Sequence, residues 1–352
     1  MIVVEPCEDG GNPQDPAAIQ HLGGGSYRVF PFSEDGDANY KFALHVRARN
    51  TGISPAPLAL EVDWADQRYT PNRRFGHVRR GTNWEFLPGR VEGSVLRLHC
   101  DVPPGESHIG LSPAYGWADY RAFAATLAPT AFRRELLGTS EQGRAIEGFH
   151  VGSGPRRLLV TARCHPYETA ASYCAEGLLH WLGEGGEEQE RLLRAASVTV
   201  VPMPNPDGVF LGLCKRTAVG GTDLSHDIVG SDDAAARALM GLLDRLRPDA
   251  FLDLHGWMHD DEDGLFYYAE TLGERFRRAA AGEPALADGR WKGMLSRPDG
   301  SPLRYCVQRF DTLALEVSCR WPGRSVDRMR DIGSAVLRAF ATLLLTTAKE
   351  ER

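Results

Sequence analysis

No stretch of this 352-residue chain approaches the uninterrupted apolar length that crosses a bilayer, so no membrane partner is expected. Positive charge is also in short supply. Forty Lys and Arg face 47 Asp and Glu, for a formal net charge of −7, which argues against a general nucleic-acid-binding surface. Cys-x-x-Cys pairs are absent and the seven cysteines are an odd number, the pattern of reduced thiols in a cytoplasmic protein. The opening Met1-Ile2-Val3-Val4-Glu5-Pro6 lacks the basic start and long apolar core of a signal peptide. What remains is soluble and globular: 42% apolar and 25% charged residues, enough for one large domain or two of ordinary size. The oligomeric state is not readable.

Two textures follow one another, with an expected boundary near residue 125 (domains 1–125 and 126–352). In the first part Tyr40, Phe42, Leu44, Val46 and Ala48 alternate with polar residues, as do Leu58, Leu60, Val62 and Trp64, then Leu96, Leu98 and Cys100. Period-two patterning implies half-buried antiparallel strands. Pro103-Pro104-Gly105 and similar breaks separate them, and the expectation is an all-β sandwich of roughly eight strands. Beyond it, apolar runs at 157–163, 197–202, 250–254, 264–269 and 312–318 alternate with helical patterns near 168–182, 232–247 and 325–346. Strands buried on both faces and separated by helices imply an α/β domain with a mixed, largely parallel sheet. Gly183 to Glu188 is expected to be a solvated connection.

Sites in open α/β sheets form beyond the carboxyl ends of strands. His165-Pro166-Tyr167-Glu168 follows the run Leu158 to Ala162, and His255 closes the run Ala250 to Leu254. Two imidazoles and one carboxylate can fill three positions of a tetrahedral zinc ion and leave the fourth for a reactive water. Glu168 is expected in the first turn of the following helix, with Pro166 tolerated at its start. Glu316 lies among Leu313, Leu315 and Val317, where a buried acid needs a partner or a purpose.

Four segments in order resemble the carboxypeptidase A-like metallocarboxypeptidases, and most of all the cytosolic carboxypeptidase branch and its bacterial relatives. They are residues 162–182, from Ala162-Arg163-Cys164-His165 through Gly177-Leu178-Leu179, Val201 to Val209 with its Asn205-Pro206-Asp207-Gly208, Asp253 to Gly256, and Leu313 to Ser318. The N-terminal part also resembles the β-sandwich that precedes the catalytic domain in that branch. The resemblance implies a zinc-dependent hydrolase with one zinc ion per chain held by His165, Glu168 and His255. It gives Glu316 the general-base role, Arg216 the polarisation of the scissile carbonyl, and Asp223 the orientation of the His165 ring. Asn205, Ser225 and His226 fall at substrate-binding positions.

One departure matters. After the aspartate the family carries Asn-Arg, which grips a terminal carboxylate, whereas this chain has Ser225-His226. A histidine lacks the bidentate fork of a guanidinium. Arg304, Arg320 and Arg324 are candidate replacements. The acidic stretch His259-Asp260-Asp261-Glu262-Asp263 reads as a solvated turn, or as a negative rim for an amine-bearing substrate. The leading expectation is removal of a C-terminal residue from a peptide. The alternatives are a deacylase or amidase acting on a peptide-like or small amide substrate without a free carboxylate, and a non-catalytic binding protein.

Overall fold

A computed structural model describes residues 1–34, 41–65, 74–257, 261–295 and 299–350. The chain divides into two compact units: Met1–Ala118 with Gly208–Arg216, and Asp119–Asp207 with Thr217–Arg352. Both expected fold types are met, all-β first and mixed α/β second.

In the first unit nine strands form one hydrogen-bonded sheet: β1 Ile2–Pro6, β2 Ile19–Gly23, β3 Ser26–Val29, β4 His45–Asn50, β5 Ala56–Asp63, β6 Phe75–Arg80, β7 Asn83–Glu92, β8 Val95–Val102 and β9 Gly105–Gly110. Their order is β1-β4-β9-β6-β7-β8-β5-β3-β2. β7 joins the two halves, pairing with β6 through residues 83–88 and with β8 through 89–92. Pro88 marks the changeover, and proline has no N–H to give to a ladder. The alternating residues behave as expected, with Phe42, Leu44, Val46 and Ala48 all buried. Their strand begins only at His45, and Tyr40 lies outside the described residues. The excursion Gly208–Arg216 is tied in by Asn12, whose Nδ2 donates to the Gly212 carbonyl at 2.9 Å. Gly212 has φ +62°, and a Cβ there would lie 1.9 Å from the Gly11 carbonyl oxygen, so only glycine fits.

The second unit has the strands β10 Arg133–Thr139, β11 Ala145–Val151, β12 Arg156–Ala162, β13 Ala196–Val201, β14 Ala250–Gly256, β15 Asp263–Tyr267, β16 Trp291–Leu295 and β17 Leu313–Cys319. They are ordered β10-β11-β13-β12-β14-β17-β15-β16, and the central four are parallel. The helices of the chain are α1 Trp117–Thr126, α2 Thr169–Glu184, α3 Glu187–Ala195, α4 Pro206–Phe210, α5 Ala234–Leu246, α6 Glu270–Ala280, α7 Pro302–Phe310 and α8 Val326–Glu350. Every residue of β14 is buried, as expected for a strand covered on both faces. Two sequence expectations are corrected. Glu187 and Glu188 open α3 instead of lying in a connection, because three acids in its first turn suit the helix dipole while Leu192 is buried. The helix after His165 starts at Thr169, so Pro166 and Glu168 precede it. Glu168 has ψ +65°, a non-helical value, and its side chain makes no capping hydrogen bond.

α2 and α8 approach closely. A Cβ on Gly177 would lie 1.9 Å from the Arg330 carbonyl oxygen, and one on Gly333 would lie 2.0 Å from that of Cys174. This contact backs the helix that begins beside Glu168.

Candidate metal centre

The parallel strands deliver their side chains to one edge of the sheet. β12 ends at Ala162, and three residues later His165 follows a tight segment in which Arg163 adopts φ +62°. The Arg163 side chain is buried, donating from Nε to the Pro166 carbonyl at 2.7 Å and from Nη1 to Ser172 Oγ at 2.8 Å. A buried guanidinium thus pins the segment between His165 and Glu168. On the next strand, Asp253 and His255 are two residues apart and share a face. Strand register places Thr161 opposite Asp253, and Asp253 opposite Glu316 on β17.

Glu168 bridges the two imidazoles. Its Oε1 lies 3.0 Å from His165 Nδ1 and its Oε2 lies 2.6 Å from His255 Nδ1. The other nitrogens face carboxylates: His165 Nε2 is 3.0 Å from Asp223 Oδ1, and His255 Nε2 is 2.9 Å from Asp253 Oδ2. Asp253 is itself fixed by Thr161, whose Oγ1 donates to Oδ1 at 2.6 Å. Both Nε2 atoms face outer carboxylates, and both Nδ1 atoms face Glu168. That is the donor set, and the orientation by outer carboxylates, that zinc requires. His165, Glu168 and His255 therefore fit the ion, with ligand atoms within 4.8 Å of one another.

Electrostatics follow from this crowding. Burial disfavours every charge here, yet the mutual attraction of imidazole and carboxylate outweighs it. Glu168 and Asp223 are held well below the usual carboxylate range by their histidine neighbours. His165 is raised by Glu168 and Asp223, and His255 is pushed up to about 10 by Asp253 and Glu168. Glu316 is 2% exposed, with Oε2 3.6 Å from His255 Nε2 and Oε1 accepting from Ser318 Oγ at 3.2 Å.

The remaining expected residues divide. Ser225 is buried, its backbone N–H donating to Asp223 Oδ1 at 3.0 Å and its Oγ 3.5 Å from His255 Nε2. His226 stacks on His165 with centroids 5.6 Å apart and keeps 20% of its side chain exposed. Its Nδ1 is 2.8 Å from Asp223 Oδ2. Asn205 is buried and donates to the Cys164 carbonyl at 3.2 Å, one residue before His165. Arg216 belongs to the first unit, where its backbone N–H donates to Glu34 at 2.6 Å. The proposed replacement arginines are engaged elsewhere. Arg324 grips Asp263 with both Nη atoms at 2.6 and 2.7 Å, Arg320 donates to the Pro322 carbonyl at 2.5 Å, and Arg304 lies 2.8 Å from Asp299.

The acidic stretch is corrected at Asp263, which is fully buried as the partner of Arg324 and belongs to neither a solvated turn nor a rim. His259 and Asp260 lie outside the described residues. Two participants were not foreseen. Asp253 was signalled only by its position two residues before His255 on a strand, and the left-handed conformation of Arg163 has no sequence signal.

Residues 119–233 match the family model described as zinc carboxypeptidase. Cytosolic carboxypeptidase 6 of Caenorhabditis elegans is 28% identical over 156 residues, covering 40% of this chain and 33% of that protein. Cytosolic carboxypeptidase 6 of Mus musculus is 35% identical over 167 residues, covering 42% and 30%. The chain thus spans about a third of the length of these curated relatives. A metallo-carboxypeptidase structure from Burkholderia cenocepacia superimposes with a TM-score of 0.82 at 18% identity, covering 99% of this chain and 100% of that one. One from Pseudomonas aeruginosa, in complex with (2-guanidinoethylmercapto)succinic acid, gives 0.81 at 22% identity, covering 97% and 99%. At these identities the structural likeness establishes the fold.

Proposed function

We propose that this chain, carrying a zinc carboxypeptidase domain over residues 119–233, is a zinc-dependent hydrolase that removes a C-terminal residue from a peptide. The observation that carries this reading is the convergence of His165, Glu168 and His255 on one point, with Glu316 beside them. One zinc ion held there would supply Lewis acidity next to the general base. Glu316 takes a proton from the attacking water and returns it to the leaving amine. Asp223 and Asp253 keep the two rings in the tautomer that presents Nδ1. Arg216 is assigned to the developing oxyanion from its place in the order of motifs. We place the protein in the cytoplasm, in keeping with its thiols; among the described residues no helix is long and apolar enough to cross a membrane.

The test is zinc analysis of the purified protein together with Glu316→Gln. The substitution should cut peptide hydrolysis by about 10²–10⁴-fold with zinc retained. A protein without stoichiometric zinc, or a variant with unchanged turnover, overturns the proposal.

A second reading is favoured by one observation. His226 stands where the family carries arginine, and its ring is tethered to Asp223. Such a site grips a carboxylate poorly, which suits a deacylase or amidase. Paired substrates ending in a free acid or an amide decide between the two. A strong preference for the acid supports the carboxypeptidase, and equal rates support the amidase.

A further inference from the structure

We propose that the first unit holds a second metal site, for a thiophilic divalent cation of the zinc type, formed by Cys7, His45 and His108. The three come from adjacent strands: Cys7 follows β1, His45 opens β4 and His108 lies on β9. Pro6 pairs with Val46 and Arg47 with His108, so this register brings Cys7 beside His45 and sets His108 diagonally from it.

The spacing is that of a coordination sphere. Cys7 Sγ is 3.4 Å from His45 Nε2 and 3.6 Å from His108 Nδ1, and the two nitrogens are 3.0 Å apart. Tetrahedral zinc, with bonds of about 2.0–2.1 Å to nitrogen and about 2.3 Å to sulfur, separates two nitrogens by about 3.3 Å and sulfur from nitrogen by about 3.6 Å. The triangle closes onto an ion with little movement. His108 Nε2 lies 3.0 Å from Glu106 Oε1, which keeps the proton there and leaves a lone pair on Nδ1. This is the carboxylate–histidine–metal arrangement.

Protons satisfy the triangle badly. With His45 protonated at Nε2, the single lone pair of His108 Nδ1 faces two donors, that N–H and the Cys7 thiol; with the proton on His45 Nδ1, two lone pairs 3.0 Å apart share one thiol proton. A cation removes the conflict: the Cys7 thiol proton leaves to solvent, the thiolate binds, and His45 moves its proton from Nε2 to Nδ1. Of the nearby positive charges, Arg47 is paired with Glu5 at 2.5 Å and with Glu106 at 3.5 Å, while Arg79 lies over the Trp84 ring and favours the thiolate. Cys7 is buried while His108 keeps 15% of its side chain exposed. Three protein donors leave a fourth tetrahedral position for water or another ligand.

Cobalt(II) loaded into the reduced full-length chain tests this. Only a sulfur ligand produces an intense near-ultraviolet thiolate-to-cobalt band, and the centre at His165, Glu168 and His255 has none. The wild type should show that band and bind one ion more than the His165 centre accounts for. Cys7→Ser and His108→Ala should each lose the band and that ion. His255→Ala should lose the other ion and keep the band, which separates failure of this site from failure of the hydrolytic one. Absence of the band in the wild type at saturating cobalt, or its persistence in Cys7→Ser, overturns the proposal.

Discussion

Asp253 touches the proposed zinc centre through the His255 ring, so its replacement isolates what an outer carboxylate contributes. Asp253→Asn keeps the size and a hydrogen-bonding oxygen but removes the charge. Zinc affinity measured by competition with a chelator should fall about 10–100-fold. His77 offers a separate test in the first unit. Its ring is buried, with Nδ1 3.1 Å from the Leu111 carbonyl oxygen, and burial lowers its pKa from 6.5 to about 4. The unfolded chain therefore binds this proton at a higher pH than the folded one. The stabilisation is complete above about pH 6.5 and is lost as pH falls toward 4, amounting to about 3 kcal/mol at 1.36 kcal/mol per pK unit. Urea titrations between these pH values should show that slope, and His77→Gln should flatten it. Asp253 illustrates why some residues escape a reading of the sequence. An isolated acid between leucines is visible, but its purpose depends on Thr161, which lies 92 positions away.

At the scale of elements, the apolar runs that became β12, β14 and β17 were legible because burial on both faces leaves an unbroken signature. The start of α2 was misread because a proline followed by an acid fits a helix start. Here the chain delays the helix so that Glu168 can face two imidazoles. The close approach of α2 and α8 gives the clearest element-scale prediction. Gly177→Ala or Gly333→Ala would drive a methyl group into backbone carbonyls, atoms that cannot rotate aside. Each should destabilise the second unit by more than the ordinary overpacking cost of about 1–3 kcal/mol. Thermal unfolding checks this, and a variant with unchanged melting would show that the helices part easily.

For the molecule as a whole, the chain divides into two compact units, so unfolding is expected in two calorimetric transitions. Zinc at about 1,000 times its Kd should add about 4 kcal/mol to the second unit, and a chelator should move that transition downward. The assignment of Gly208–Arg216 to the first unit could not have been read from local pattern. It rests on Asn12 and Glu34, about 180 to 200 positions away. Thr161, Asp253 and Glu316 are also far apart in sequence, yet they form one row because three strands share a register. Strand pairing therefore acts on the centre as a reading frame. Residues can be added in the connections without altering which of Thr161, Asp253 and Glu316 meet. One residue inserted in β14 ahead of Asp253 would turn Asp253 and His255 to the opposite face of the sheet together, and the centre would vanish in a single step.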